Sequence, residues 1–295
     1  MSGSDNVFIL ADGNAWQIVG KDKKARIIVS RLKEIFQLTY FKGPCRRLSV
    51  KTHDKKGDLT LATTEELEIC VPLLGDVNYS ASAVFALAMQ PVCRDIQSGG
   101  GLFIHGALVE KDGSGVIMTG ISGIGKTTAS NRLPSCWRCL SDDTALVVCD
   151  NQGQYWAHPW PTWSRFGSRG PGGSWEVSHS VPLKGLFFLA QAPRDRVEPI
   201  TNGHSACMLV ETCHQAAFLS LELGDTDKDL RIQRLKRFES ICALVKAIPS
   251  FMLHVSLTGN EYGRARIRSF ESATVYSSSI SFMLIFKCVA ILSIS

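Results

Sequence analysis

The stretch "GISGIGKTT", Gly120 to Thr128, constrains this chain more than any other. Gly120, Gly125, Lys126 and Thr127 satisfy G-x-x-x-x-G-K-[ST], the Walker A phosphate loop (P-loop). A loop of this kind connects a buried strand to a helix. Apolar Val116 to Met118 leads in, and a helix-compatible segment runs from Lys126 to a stop before Pro134. The chemistry accounts for the residue types. The glycines let the backbone turn with its N–H groups facing inward, which makes an anion-binding nest. The helix that follows adds the partial positive charge of its N-terminus. Lys126 brings a mobile cation to the β- and γ-phosphates, and Thr127 offers a hydroxyl to Mg²⁺. The motif implies a nucleoside triphosphate and leaves the fate of the γ-phosphate open. A metal-holding acid and a group that activates a nucleophile are still required.

Two places supply acids. Asp150 ends the apolar run "ALVVC", but "DNQG" follows at once and predicts a hairpin turn there. Asp142 and Asp143 come sixteen and seventeen positions after Lys126. That interval holds a short helix, a turn and a returning strand. Neighbours on a regular strand point to opposite faces, so both carboxylates reach one site only if the backbone is irregular between them. The alternative is an exposed acidic turn with Ser141.

The rest of the chain supports an α/β fold. Val7 to Gly20 reads as two strands joined by an Asp-Gly turn. Ala25, Ile28, Leu32, Ile35 and Phe36 recur at helical spacing. "PCRRLSVKT" and "LEICVPL" add strands, which makes residues 1–79 a small α+β module. Residues 80–272 form the P-loop nucleotide-binding domain. It opens with a helix from Ser80 to Ile96 that Pro91 kinks or breaks. Strands follow at Leu102 to Val109, Arg138 to Leu140, Leu146 to Cys149, Tyr155 to His158, Leu183 to Gln191 and Phe251 to Leu257. Helical patterns cover Ala206 to Leu219 and Leu230 to Ala247. The tail, 273–295, is apolar from Ile280 to Ile294 with Lys287 inside it. A central Lys costs a membrane helix about 3 kcal/mol, so a span is not expected.

Composition excludes several classes. The net charge of +5 and the absence of a basic stripe interleaved with aromatics argue against nucleic acid as partner. "KDKKAR" and "RIQRLKR" read as solvated helix faces. The N-terminus shows no signal peptide, so the ten cysteines are read as reduced thiols in a cytoplasm. Cys136 and Cys139 have CxxC spacing with no second pair, and His204, Cys207, Cys213 and His214 form a loose set in a Gly-bearing loop and helix. Both are read as ordinary surface and core residues rather than metal sites.

"IHGALVEKDGSGVIMTGISGIGKTTASNRL", followed by "LSDD", resembles the catalytic domain of HPr kinase/phosphorylase, whose fold is related to that of phosphoenolpyruvate (PEP) carboxykinase. The chain is also similar to the HPr-kinase-like proteins of SynChlorMet peptide-modification cassettes. There the likeness extends to "LADGNAWQIVG", "YWAHPWPTWSRF" and "VPLKGLFFLAQA", over most of residues 7 to 265. The resemblance implies that Gly120, Ser122, Gly123, Ile124, Gly125, Lys126, Thr127 and Thr128 cradle ATP. Asp142 would take the proton of an acceptor hydroxyl, Asp143 would bind Mg²⁺ with Thr127, and His105 would lie near the acids and the transferred phosphoryl. From its residues alone, His105 reads rather as a core strand histidine, and the resemblance reverses that. The implied activity is an ATP-dependent kinase acting on a Ser or Thr of a small peptide or protein. Other cassette enzymes are the implied partners, and self-association is left open. The alternative is an ATP-binding scaffold or chaperone of a peptide-modifying complex. No match to the family's second signature follows the Asp pair. His158 to Trp175, rich in Trp, Gly and Arg, stands there instead. It predicts a long loop, either a clamp with Arg165 or Arg169 facing phosphate or a plain surface loop.

Overall fold

A computed structural model describes residues 3–53, 66–72, 81–121, 123–131, 133–166, 172–216 and 227–256. It is a mixed α/β structure built on two sheets. The apolar tail and the 54–65 and 73–80 connections lie outside the described residues.

The first sheet has the order β3-β1-β2-β4-β5. Strands β1 (Ser4–Ile9) and β2 (Ala15–Gly20) form an antiparallel hairpin, as the alternation and the Asp12-Gly13 turn predict. Helix α1 (Lys23–Phe36) begins where Asp22 accepts a hydrogen bond from the Ala25 N–H at 2.8 Å. Its apolar stripe, including Ile28, Leu32, Ile35 and Phe36, is buried as its spacing requires. Strand β3 (Thr39–Phe41) takes the edge beside β1, and β4 (Arg46–His53) and β5 (Glu66–Pro72) extend the sheet in parallel. Helix α2 (Ala81–Ser98) runs on through Pro91 rather than ending there.

The second sheet has the order β10-β9-β6-β7-β11-β13-β12. Its members are β6 (Leu102–Lys111), β7 (Ser114–Thr119), β8 (Arg138–Ser141), β9 (Thr144–Cys149), β10 (Tyr155–Trp160), β11 (Val181–Gln191), β12 (Arg196–Pro199) and β13 (Ser250–Val255). Strand β10 also pairs with the start of β11, so β10, β9, β6, β7 and β11 close into a ring. Strand β11 pairs in parallel with both β7 and β13, which explains its near-continuous apolar run. One face of the sheet packs on helices α4 (Asn202–Ala216) and α5 (Asp227–Ala247), with Leu102, Ile104 and Leu108 against residues such as Leu209 and Leu244.

The opposite face divides. Phe103 of β6 joins the core of the first sheet, whereas Ala107 and Val109 join a cluster with Ala129 of α3 (Lys126–Asn131). His105 lies between these on the same face by strand alternation. The core shared with the first sheet and the cluster beside α3 therefore adjoin at His105.

The aromatic segment after β9 is not a surface loop. Tyr155 to Trp160 is strand, a 3-10 turn covers Trp163–Phe166, and Trp160, Trp163 and Trp175 are 0%, 8% and 6% exposed. Trp160 packs on Phe36 and Phe103 at ring separations of 5.2 and 4.9 Å. Trp163 packs on Phe36 at 5.9 Å, and Phe166 on Phe85 at 5.7 Å. Burying one such ring is worth on the order of 3 kcal/mol, which outweighs the loop-like composition. The segment thus belongs to the core that the first sheet, α1 and α2 share with the second sheet.

Gly106 shows why a glycine follows the histidine. A Cβ there would meet Met118 O at 2.9 Å, Ile117 Cγ2 at 3.0 Å and Thr119 Cβ at 3.1 Å, all on the paired strand β7. Gly106→Ala is expected to lower the free energy of unfolding by about 1–3 kcal/mol in urea denaturation. An unchanged midpoint would show that the two strands can part to admit a methyl.

Candidate functional site

The glycine loop leaves β7 at Thr119, whose Oγ1 donates to the His105 carbonyl at 2.8 Å. Gly120, Gly123 and Gly125 have φ of 155°, 81° and 108°, conformations open to glycine and strained for other residues. A Cβ added at Gly123 or Gly125 would meet nothing within 4 Å, so that side of the loop is open. Helix α3 begins at Lys126, and the Ala129 N–H donates to Gly125 O at 2.8 Å.

Lys126 is buried, and its Nζ donates to Gly120 O at 2.9 Å and Ile121 O at 3.2 Å. The ammonium is turned onto the loop's own carbonyls. Burial pushes its pKa down, with Asp143 opposing the shift. Ser122 and the side chains of Thr127 and Thr128 lie outside the described residues, and Ile124 is partly buried.

His105 Nδ1 is 3.1 Å from the Asp143 carbonyl and 3.5 Å from Asp143 Oδ1. A carbonyl only accepts, so Nδ1 carries the proton and Nε2 the lone pair when the ring is neutral. Burial lowers the His105 pKa, the Lys126 cation lowers it further, and Asp143 pulls the other way. Neutral imidazole is therefore favoured. Lys126, His105 and Asp143 form one electrostatic group at the loop.

The acid pair lies in the bend between β8 and β9. Leu108 faces Ser141 and His105 faces Thr144 across β6, so Asp142 and Asp143 sit opposite Ala107 and Gly106. The Gly106 N–H donates to the Asp143 carbonyl at 2.8 Å. The backbone is irregular as required, but the carboxylates take different partners. Asp143 turns to His105. Asp142 turns to the aromatic segment, where Thr162 Oγ1 donates to Oδ1 at 2.8 Å and Arg165 Nη2 to Oδ2 at 2.5 Å. Arg165 thus faces a carboxylate here. Arg169 lies outside the described residues. Thr162 carries no local sequence signal of its role, because only the fold brings it beside Asp142.

The remaining candidates fall into place. Asp150 is a turn residue: its carboxylate accepts from the Gln152 and Gln154 N–H groups at 2.8 and 2.9 Å and from Trp156 Nε1 at 2.8 Å. Cys136 and Cys139 are free and exposed. His204 and Cys207 lie on α4 rather than in a loop, with Cys213 buried on the same helix. Among the described residues no group of three or more His, Cys, Asp and Glu could hold a metal ion, and no helix is long and apolar enough to cross a membrane.

The donor set suits a triphosphate with Mg²⁺. That ion keeps several waters and binds through one or two carboxylates together with substrate phosphates, so it needs no all-protein cage. Asp143 would supply the carboxylate, beside the buried Lys126 ammonium and the open side of the loop.

A family model described as SynChlorMet cassette protein ScmC matches residues 78–266. That span contains the loop, the acid pair, His105 and the aromatic segment. No curated protein matches the chain.

Proposed function

The chain belongs to the SynChlorMet cassette protein ScmC family, and from that premise we propose that it is an ATP-dependent kinase. It transfers the γ-phosphoryl group to a hydroxyl, a Ser or Thr of a small peptide or protein, within a peptide-modification cassette. The HPr-kinase-like resemblance supplies the reaction class. The observation that carries the reading is the gathering of Lys126, His105 and Asp143 at a loop with three positive-φ glycines.

The residues divide the work. The loop amides and Lys126 bind the phosphates and stabilise charge as it develops. To do so, Lys126 leaves the carbonyls of Gly120 and Ile121. Asp143 and Thr127 would hold Mg²⁺, which would supply positive charge against the phosphates. His105, fixed through Nδ1, keeps Nε2 free of the proton and holds the Asp143 carbonyl in place. Asp142 faces away from this group, toward Thr162 and Arg165, and this is the side from which an acceptor hydroxyl would enter. There it accepts the hydroxyl proton as general base, which requires Arg165 to release Oδ2.

The test is incubation with γ-labelled ATP, Mg²⁺ and precursor peptides of the cassette, followed by mass spectrometry. The expected result is a gain of one phosphate on a Ser or Thr. ATP binding with no phosphopeptide from any precursor would favour a nucleotide-binding scaffold instead.

A further inference from the structure

The stretch Arg231 to Phe238, "RIQRLKRF", carries four cations and no acid. Seven large apolar side chains are exposed among the described residues, and four of them lie on α4 and α5: Val210, Ile232, Leu235 and Phe238. At about 100° per residue, positions nine apart on a helix are diametrically opposed. Ile232 and Leu235 therefore point away from buried Ile241 and Leu244, nine residues on, so the molecule's own core does not reach them. Such a cluster is not what a merely solvated face requires.

Two hollows flank this ridge. One of about 270 Å³ lies between α2 and α5, lined by Pro91, Arg94, Ile232, Lys236 and Arg237 among others. The other, of about 390 Å³, lies between α4 and α5, lined by Val210, His214, Arg237 and Phe238 among others. Arg237 lines both, and its Nε is buried without a hydrogen-bond partner. The acids that line the hollows are committed elsewhere, and exposed Glu239 stands beside Leu235 one turn on. Asp95 accepts from Trp16 Nε1 at 3.0 Å and from Arg46, and Glu211 accepts from Gln215 Nε2 at 2.9 Å. Ile232, Leu235 and Phe238 therefore form an exposed apolar line, with Lys236 and Arg237 in the hollows beside it.

We propose that this face docks an acidic amphipathic helix of a partner protein. Its apolar side chains lie on Ile232, Leu235 and Phe238, and its carboxylates reach Lys236 and Arg237 in the flanking hollows. A bilayer surface would meet the crest but leave the hollows and the buried Arg237 Nε unmatched, which favours a protein. The inference stands apart from the kinase reading.

The test is fluorescence anisotropy of the full chain with a labelled synthetic helix that has Leu at i, i+3, i+4 and i+7 and Glu elsewhere. A twin with Lys in place of Glu is the control. The Glu peptide should bind, more weakly as salt rises. Leu235→Asp and Lys236→Glu should each weaken it about tenfold. Both side chains are exposed, so an unchanged circular dichroism spectrum should accompany the loss. Equal binding of the Lys twin, or indifference to Leu235→Asp, would overturn the proposal. So would binding to phosphatidylserine–phosphatidylcholine vesicles without peptide binding, or a dimer that Leu235→Asp dissociates.

Discussion

Asp142→Asn is expected to lower phosphoryl transfer by about two to four orders of magnitude, while nucleotide affinity is retained. The amide keeps the shape of the carboxylate and can still accept from Thr162 Oγ1, but it cannot take a proton from an acceptor hydroxyl. Asp143→Asn should behave differently. It removes charge beside Lys126 and His105, so its loss should include the Mg²⁺ dependence of nucleotide binding. Single-turnover transfer and equilibrium titration of ATP, with and without Mg²⁺, separate the two. Full transfer by the Asp142 variant would remove its assignment as base.

Acid should destabilise the fold through a residue outside that site. His158 is fully buried and tied at both nitrogens: Nε2 accepts from the Ala11 N–H at 3.1 Å, and Nδ1 is 2.8 Å from the Val177 carbonyl. Nδ1 must donate, so the ring is held neutral. Burial lowers its pKa to about 4. The unfolded chain, near 6.5, binds this proton first, so stability is complete above about pH 6.5 and falls as pH drops toward 4. The loss is about 2 kcal/mol at pH 5 and on the order of 3 kcal/mol below pH 4. Urea unfolding between pH 7 and 4 should show this slope, and His158→Gln should flatten it while lowering the midpoint at pH 7. An identical slope in the variant would assign the acid sensitivity to other groups.

Much of the architecture was legible because its signals are local. The Asp12-Gly13 turn, the period of α1 and the run into Gly120 each depend on neighbours in the chain. The glycine turn between β7 and α3 and the position of the acid bend were legible for the same reason. The edge strands β3 and β12 were not, because three or four largely exposed residues carry no alternation to read. The start of α4 was hidden by Gly203, which reads as loop. In the first helical turn a glycine is tolerated well. The aromatic segment misled through composition: Trp, Gly, Pro and Arg without a period look like a loop until partners on Phe36, Phe85 and Phe103 are in place. The parting of Asp142 from Asp143 was unreadable for a related reason. Arg165 and Thr162 reach Asp142 only across 23 and 20 residues of chain.

The shared aromatic core constrains how relatives of this chain can drift apart. The family match begins at residue 78, yet Phe8 and Phe36, against which Trp160 and Trp163 are seated, lie upstream of it. A smaller side chain at Phe36 leaves a void against Trp160 and Trp163, which are already the largest side chains available and cannot grow to fill it. A change on one side of residue 78 is therefore felt as lost packing on the other. The segment carrying Arg165 inherits its placement from a part of the chain that holds none of the proposed chemistry.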